Sequence, residues 1–370
     1  MLQNEKGFRM RLTTDGCRGR QRRMLERMGK VGVDFAVLGD PKHVLYVTGY
    51  LTNENNSSAV VFQKDGTCTL IAPTTGEGLA IDDLVTYEPS ALCTLRLDQS
   101  QIVAKQVGAI LGSALQGAGL DKGGASGFLG ELLEGAVGLD GELIDLRRTK
   151  DADELAILKR GIEVTHACYA RARDIIRPGI SELEVYSELY RVAVEEAGER
   201  LPAMGNDFQS NSPGGLPRQR RIEAGELYIL DLGVHLSGYF ADSARTFAVS
   251  GEAGSLQQKA WGDLVRVFSI VEERVRPGVR CDALFQQVKE FLDIDWPGSF
   301  FHHLGHGVGL SPHERPNLNP SWNQVFMEGD FFTVEPGLYE PELNAGIRLE
   351  ENYLVTSDGV EKLTSFPLDL

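Results

Sequence analysis

Short apolar runs alternate with amphipathic stretches through the first part of the chain. A basic, helix-like stretch at Gln21–Lys30 leads into VDFAVLG (33–39), and SAVVFQ (58–63) and TCTLIAP (67–73) flank Asp65-Gly66. An Asp-Gly pair between two β-rich runs predicts a hairpin. Helical spacing returns at Gln101–Leu115, followed by a glycine-rich segment, Gly117–Gly141, and then ELIDLRR. Alternation of this kind predicts an α/β layer domain that ends near residue 148. Residues 1 to about 17 form a charged leader, for which poor order is expected.

From Asp151 the pattern becomes a long amphipathic helix, DADELAILKRGIEVTHACYARARDII, closed by Arg177-Pro178-Gly179. The next helix opens at Ser181 with Glu184 three residues later, the spacing of a capping box. IRPGISELEVYSEL (176–189) is echoed by VRPGVRCDALFQQV (275–288), so each Arg-Pro-Gly ends one helical stretch and starts another. The echo predicts two related half-domains.

Composition narrows the function. The 53 acidic residues against 37 basic ones give a net charge of -16, which argues against a surface that tracks nucleic-acid phosphates. The opening twenty residues lack a signal-like apolar core, and no stretch is apolar for long enough to span a bilayer, so a cytoplasmic location is expected. Five scattered cysteines (Cys17, Cys68, Cys93, Cys168, Cys281), none spaced as CxxC, suit free thiols in a reducing compartment.

The candidate chemistry lies in the second half. YILDLGVHLSGYFADSARTF (228–247) reads as two strands. With Leu236 and Ser237 as the central turn residues, Asp231 and Asp242 stand directly opposite each other, about 5 Å apart. Two carboxylates that close cannot both stay ionised without a cation. FFHHLGHGVGLSPHERP (300–316) places four of the chain's seven histidines within twelve residues, and His302 and His313 could bracket a substrate around His306. In FFTVEPG (331–337) and AGIRLEENYLVT (345–356), glutamates interrupt apolar strands. Alternation in the latter sets Arg348, Glu350 and Asn352 on one face, which favours Glu350 over Glu351 as the inward carboxylate and makes Arg348 a candidate substrate contact.

The order Asp, ten residues, Asp, then GHG, EPG and RLE resembles the metal-binding pattern of the pita-bread metallopeptidases, the family of methionine aminopeptidase, prolidase, Xaa-Pro aminopeptidase and creatinase. DPKHVLYVTGY (40–50) is similar to their creatinase-type amino-terminal domain. The resemblance implies an α/β creatinase-type domain over 18–148, followed by an α+β pita-bread catalytic domain with pseudo-twofold symmetry over 151–370. It implies that Asp231 chelates one divalent cation, that His306 and Glu335 hold a second, and that Asp242 and Glu350 bridge them. Four carboxylates balance two divalent cations, and such cations sharply lower the pKa of bound water. A single imidazole among oxygens suits manganese or cobalt, with iron or zinc as further options. In the family's mechanism Glu335 handles the nucleophile's proton, while His302 and His313 stabilise the tetrahedral intermediate. The expected reaction is removal of the amino-terminal residue from Xaa-Pro peptides or dipeptides, by a homodimer.

One departure stands out. Where proline-specific relatives carry Pro-His, SNSPGGLPRQRR (210–221) aligns Pro217 with Arg218, so Arg218 is expected to bind a substrate carboxylate. That departure favours an alternative, a hydrolase of a small non-peptide amide or related metabolite, and the resemblance also allows a non-catalytic binding protein on the same fold.

Overall fold

Thr13 starts the first helix, its side chain accepting from the Gly16 amide and satisfying one of the donors that every helix N-terminus leaves open. The helix, α1 (Thr14–Val31), therefore begins well before Gln21, and it buries Cys17, Gln21, Met24 and Met28 along one stripe. The computed structural model describes residues 10–90, 95–344 and 346–370, so the leader's residues 1–9, Cys93 and Ala345 lie outside it. Two compact units result: Arg11–Arg147 with Asp151–Asp153, and Arg148–Lys150 with Glu154–Leu370.

The smaller unit is built on a mixed sheet of β1 (Phe35–Leu38), β2 (Ala59–Gln63), β3 (Cys68–Ala72), β4 (Asp83–Thr86), β5 (Ala118–Leu120) and β6 (Val137–Gly138), in the order β4-β3-β2-β1-β5-β6. The expected hairpin at Asp65-Gly66 joins β2 to β3, with Gly66 in the left-handed region. Helices α2 (Pro41–Thr48), α3 (Arg96–Leu111), α4 (Gly127–Leu132) and α5 (Asp140–Arg148) complete the layer. The glycine-rich segment thus contains regular structure, and within β5 Gly119 lies where a side chain would strike Leu139.

In the larger unit, α6 (Ala152–Ile175) and α7 (Glu182–Ala197) flank the first Arg-Pro-Gly corner, and Ser181 and Glu184 form the capping box in full. They pack on an antiparallel sheet of β7 (Asp207–Ser210), β8 (Leu227–Leu232) and β11 (Ser243–Ala248), ordered β11-β8-β7, with the hairpin β9 (His235–Leu236) and β10 (Tyr239–Phe240) between the last two. The second half repeats the plan. Helices α8 (Ser255–Arg274) and α9 (Cys281–Asp293) flank the second Arg-Pro-Gly and pack on β12 (Gly305–Gly307), β13 (Glu314–Leu318), β14 (Phe331–Val334), β17 (Glu351–Val355) and β18 (Val360–Lys362), with β15 (Gly337–Leu338) pairing β16 (Ile347–Arg348) alongside. Each half has its own apolar core, one around Tyr169 and Leu230, the other around Phe268 and Phe332. The Glu350 amide donates to the Ala244 carbonyl at 3.0 Å, and Thr246 is hydrogen-bonded to the Arg348 backbone, so the two halves meet along β11.

None of the described helices is long and apolar enough to cross a membrane. The four described cysteines are buried thiols, and burial pushes Cys68, Cys168 and Cys281 up to about 12.

Candidate metal centre

Asp231 sits in the wholly buried strand β8, and its register differs from the expected one. Its direct partner across β11 is Ala244, because the turn is centred on Ser237-Gly238, one residue later than the sequence reading placed it. Both turn residues have positive φ, 49° and 88°, as a type I′ hairpin requires. Leu236 belongs to the strand and is buried. Asp242 precedes β11 by one residue and so lies diagonally from Asp231 on the same face, close enough for each carboxyl group to shift the other's titration. Gly233 makes this approach possible, since a side chain there would collide with the Ala241 carbonyl.

His306 occupies the middle of β12 between two glycines that leave no room for a Cβ: Gly305 backs onto the Thr333 carbonyl, and Gly307 onto that of Arg315. Its Nδ1 donates to the Gly307 carbonyl at 3.0 Å, so in the neutral ring Nε2 presents a lone pair. That nitrogen lies 3.1 Å from Glu335 Oε1 and 3.9 Å from Asp242 Oδ2. Glu335 follows β14, where its amide donates to the Leu304 carbonyl at 2.8 Å.

Glu350 completes the cluster from beside β11. It is 1% exposed, and neither carboxylate oxygen has a hydrogen-bond partner among the described residues. Leaving a buried carboxylate without donors is strongly unfavourable unless it is protonated or bound to a cation. Burial, reinforced by Asp242 and Glu335, raises its pKa. Asp242 is raised by burial and by Asp231, and Asp231 is pushed up to about 6, chiefly by burial. Burial also acts on Glu335, but the imidazoles of His303 and His306 beside it outweigh burial and hold this acid below its ordinary value. The ligating atoms of Asp242, His306 and Glu350 lie within 4.8 Å of one another. Such a set, short of donors and rich in negative charge, fits divalent cations.

Around this cluster opens a cavity of about 700 Å³. His302 and His313 both line it. His302 Nε2 is 3.0 Å from the Tyr339 hydroxyl, and burial lowers its pKa. His313 stacks on His306 with ring centres 3.7 Å apart, and burial together with His306 and His303 brings it down to about 4. Arg348 also lines the cavity, but its charge is committed: Nη2 is paired with Asp207 and lies 3.0 Å from Asp231 Oδ2, while Nη1 meets the Tyr339 hydroxyl at 3.0 Å.

Arg218 is the expectation the structure corrects. Its guanidinium forms a forked pair with the fully buried Glu182, at 2.9 and 2.6 Å, and a 2.8 Å bond to the Ser210 carbonyl. It is not among the residues lining the cavity. Residues that the sequence reading missed include Asp207, which lies opposite Asp231 across β7, and Tyr339 and His303.

The chain matches Metallopeptidase family M24 over residues 156–357. It belongs to that family. Residues 20–146 match the Creatinase/Prolidase N-terminal domain. The Xaa-Pro dipeptidase of Pyrococcus furiosus is 30% identical over 237 residues, which are 63% of this chain and 67% of the relative. A Bacillus subtilis protein named as a dipeptidase, YkvY, is 31% identical, and the match spans 63% of its length. Among solved structures, the prolidase of Pyrococcus horikoshii OT3 superposes with a TM-score of 0.79 at 24% identity, covering 95% of this chain and 99% of that one. An Xaa-Pro dipeptidase from Bacillus anthracis gives 0.80 at 24% identity over 96% and 99%. These likenesses bear out the two-domain M24 fold with its creatinase-type amino-terminal domain.

Proposed function

We propose that this chain is a dinuclear metal-dependent peptidase that removes the amino-terminal residue from Xaa-Pro peptides or dipeptides, with Asp231, Asp242, His306, Glu335 and Glu350 as its ligands. The observation that carries the reading is the Glu350 carboxylate, buried without a donor beside Asp242 and His306. Two divalent cations, manganese or cobalt in the first instance and iron or zinc otherwise, would supply an activated water and polarise the scissile carbonyl.

The protein's own groups have distinct tasks. Glu335 lines the cavity and is suited to take and return a proton. Burial favours the neutral form of both His302 and His313. The His302 Nδ1–H donates to the His303 carbonyl at 2.7 Å, which leaves Nε2 to accept from the Tyr339 hydroxyl and position it, while His313 can donate a hydrogen bond to a developing oxyanion without bringing a fixed charge. Arg348 orients Asp231 and Tyr339 instead of anchoring substrate from afar. The domain limits 18–148 and 151–370, a cytoplasmic setting and a homodimer belong to the same proposal. The metabolite reading drew added support from Arg218 beside the metals, and the Glu182 pair removes that part of its support.

The test is metal analysis joined to assays on Ala-Pro, Met-Pro and longer Xaa-Pro peptides, after manganese, cobalt or zinc is returned to apo-protein. Hydrolysis dependent on added metal supports the proposal, and failure on every peptide in the metal-loaded state overturns it.

A further inference from the structure

The histidine segment brings more imidazole to the centre than a five-ligand set uses. His303 Nε2 lies 2.9 Å from Glu335 Oε1, the same oxygen that His306 Nε2 approaches at 3.1 Å. The ligating atoms of His302, His303 and Glu335 fall within 4.8 Å of one another, and so do those of His303, His306 and His313. Donors bound side by side to one cation at about 2.1 Å stand roughly 3 Å apart. Both contacts to Glu335 Oε1 have that spacing, which a shared cation would account for. His303 is also the more open of the two rings: its side chain is 33% exposed, against 4% for His306.

We propose that His303 is a further ligand to the cation held by His306 and Glu335, an inference that rests on the dinuclear reading above. The two positions then differ in kind. One has two imidazole nitrogens with carboxylate oxygens, and the other, at Asp231, has oxygen donors alone. Imidazole favours zinc, iron and nickel, whereas carboxylates suit manganese and magnesium. The first position therefore prefers zinc over manganese, and the centre is built to hold two different metals.

The competing account is that His303 only hydrogen-bonds Glu335, and His303→Gln separates the two. Glutamine can still donate to the carboxylate, but it offers no imidazole. Wild type, His303→Gln and His303→Ala, each stripped and reloaded with one equivalent of Zn²⁺, are examined by zinc-edge X-ray absorption, which counts imidazole ligands. Calorimetric titrations with Zn²⁺ and Mn²⁺ run beside it, and melting curves confirm folding. Two imidazoles in wild type and one in both variants, with a zinc-over-manganese preference lower by about 10–100-fold, is the expected result. A single imidazole in wild type, or wild-type zinc preference in His303→Gln, overturns the proposal. Wild type that binds neither ion overturns the metal reading itself, and the inference with it.

Discussion

Glu350 and Glu351 are consecutive and equally buried, yet among the described residues only Glu351 forms an ion pair, with Arg245 at 2.9 Å. The difference assigns them different work. Glu350→Gln removes a carboxylate that lacks hydrogen-bond donors among the described residues, so metal affinity and peptidase activity should both collapse while the apo-protein melts no lower than wild type. Glu351→Gln should do the reverse, because it weakens a buried ion pair: a stability loss of about 1–3 kcal/mol with metal content retained. Metal analysis and thermal melts on the two variants check this. Greater loss of metal from Glu351→Gln would contradict the assignment.

Arg218→Ala should not alter selectivity. The wild type and the variant should hydrolyse a dipeptide and its carboxyl-amidated form in the same ratio. The variant instead leaves the Glu182 carboxylate with only backbone donors and Ser210 nearby, at an expected loss of about 2–3 kcal/mol by denaturant melt. A change in the acid-to-amide ratio with unchanged stability would restore Arg218 as a substrate contact.

Stripping the metals should make stability depend on pH in a defined direction. Asp231 titrates near 6 in the fold against an ordinary value of 3.8, and Asp242 and Glu350 are raised as well. Between those values the folded chain holds more protons than the unfolded chain, so apo stability falls as pH climbs from about 4 to 6 and beyond. Added Mn²⁺ should reverse the fall. Melting temperatures of apo- and reloaded protein across this range provide the check, and equal slopes for both would count against the cluster.

His166 acts in the opposite sense. Its Nε2 is buried without a partner, and burial, aided by Arg245, lowers its pKa from 6.5 to about 4. The unfolded chain therefore binds the extra proton in that window, and stability is lost as pH falls from 6.5 toward 4. His166→Phe should flatten this component, worth on the order of 2 kcal/mol once partial exposure is discounted. The wild-type-minus-variant difference, measured in metal-loaded protein, isolates it from the carboxylates.

The five candidate ligands could be proposed from the sequence because of the order of their motifs, two aspartates ten residues apart followed by GHG, EPG and RLE, although Asp242, Glu335 and Glu350 each fall just outside a strand. Asp207 and Tyr339 could not. Asp207 reaches the centre through the pairing of β7 with β8, and Tyr339 through a hydroxyl that meets Arg348 and His302 from another strand pair. Neither neighbourhood has a local signature. The hairpin register was misplaced by a single turn residue, since Ser237 gives no sequence sign of its positive φ. Arg218 was misjudged because its partner, Glu182, lies 36 residues away and looks like an ordinary acidic residue in the first turn of a helix. The early start of α1 was signalled by Thr13, but the charged residues around it obscured the buried stripe.

Gly233, Gly305 and Gly307 leave a different kind of record. Substitution at any of them would push backbone against backbone and spread the strands that aim Asp231, Asp242, His306 and Glu335, although no donor atom would have changed. The carboxylates stand under the opposite constraint: in a descendant that no longer needed its metals, they could be lost one at a time, even with a gain in stability. Such a descendant would keep its glycines and shed its acids, whereas a damaged enzyme still under selection would show the reverse. The order in which these two groups of residues decay therefore distinguishes a protein that has changed its purpose from one that is merely failing at it.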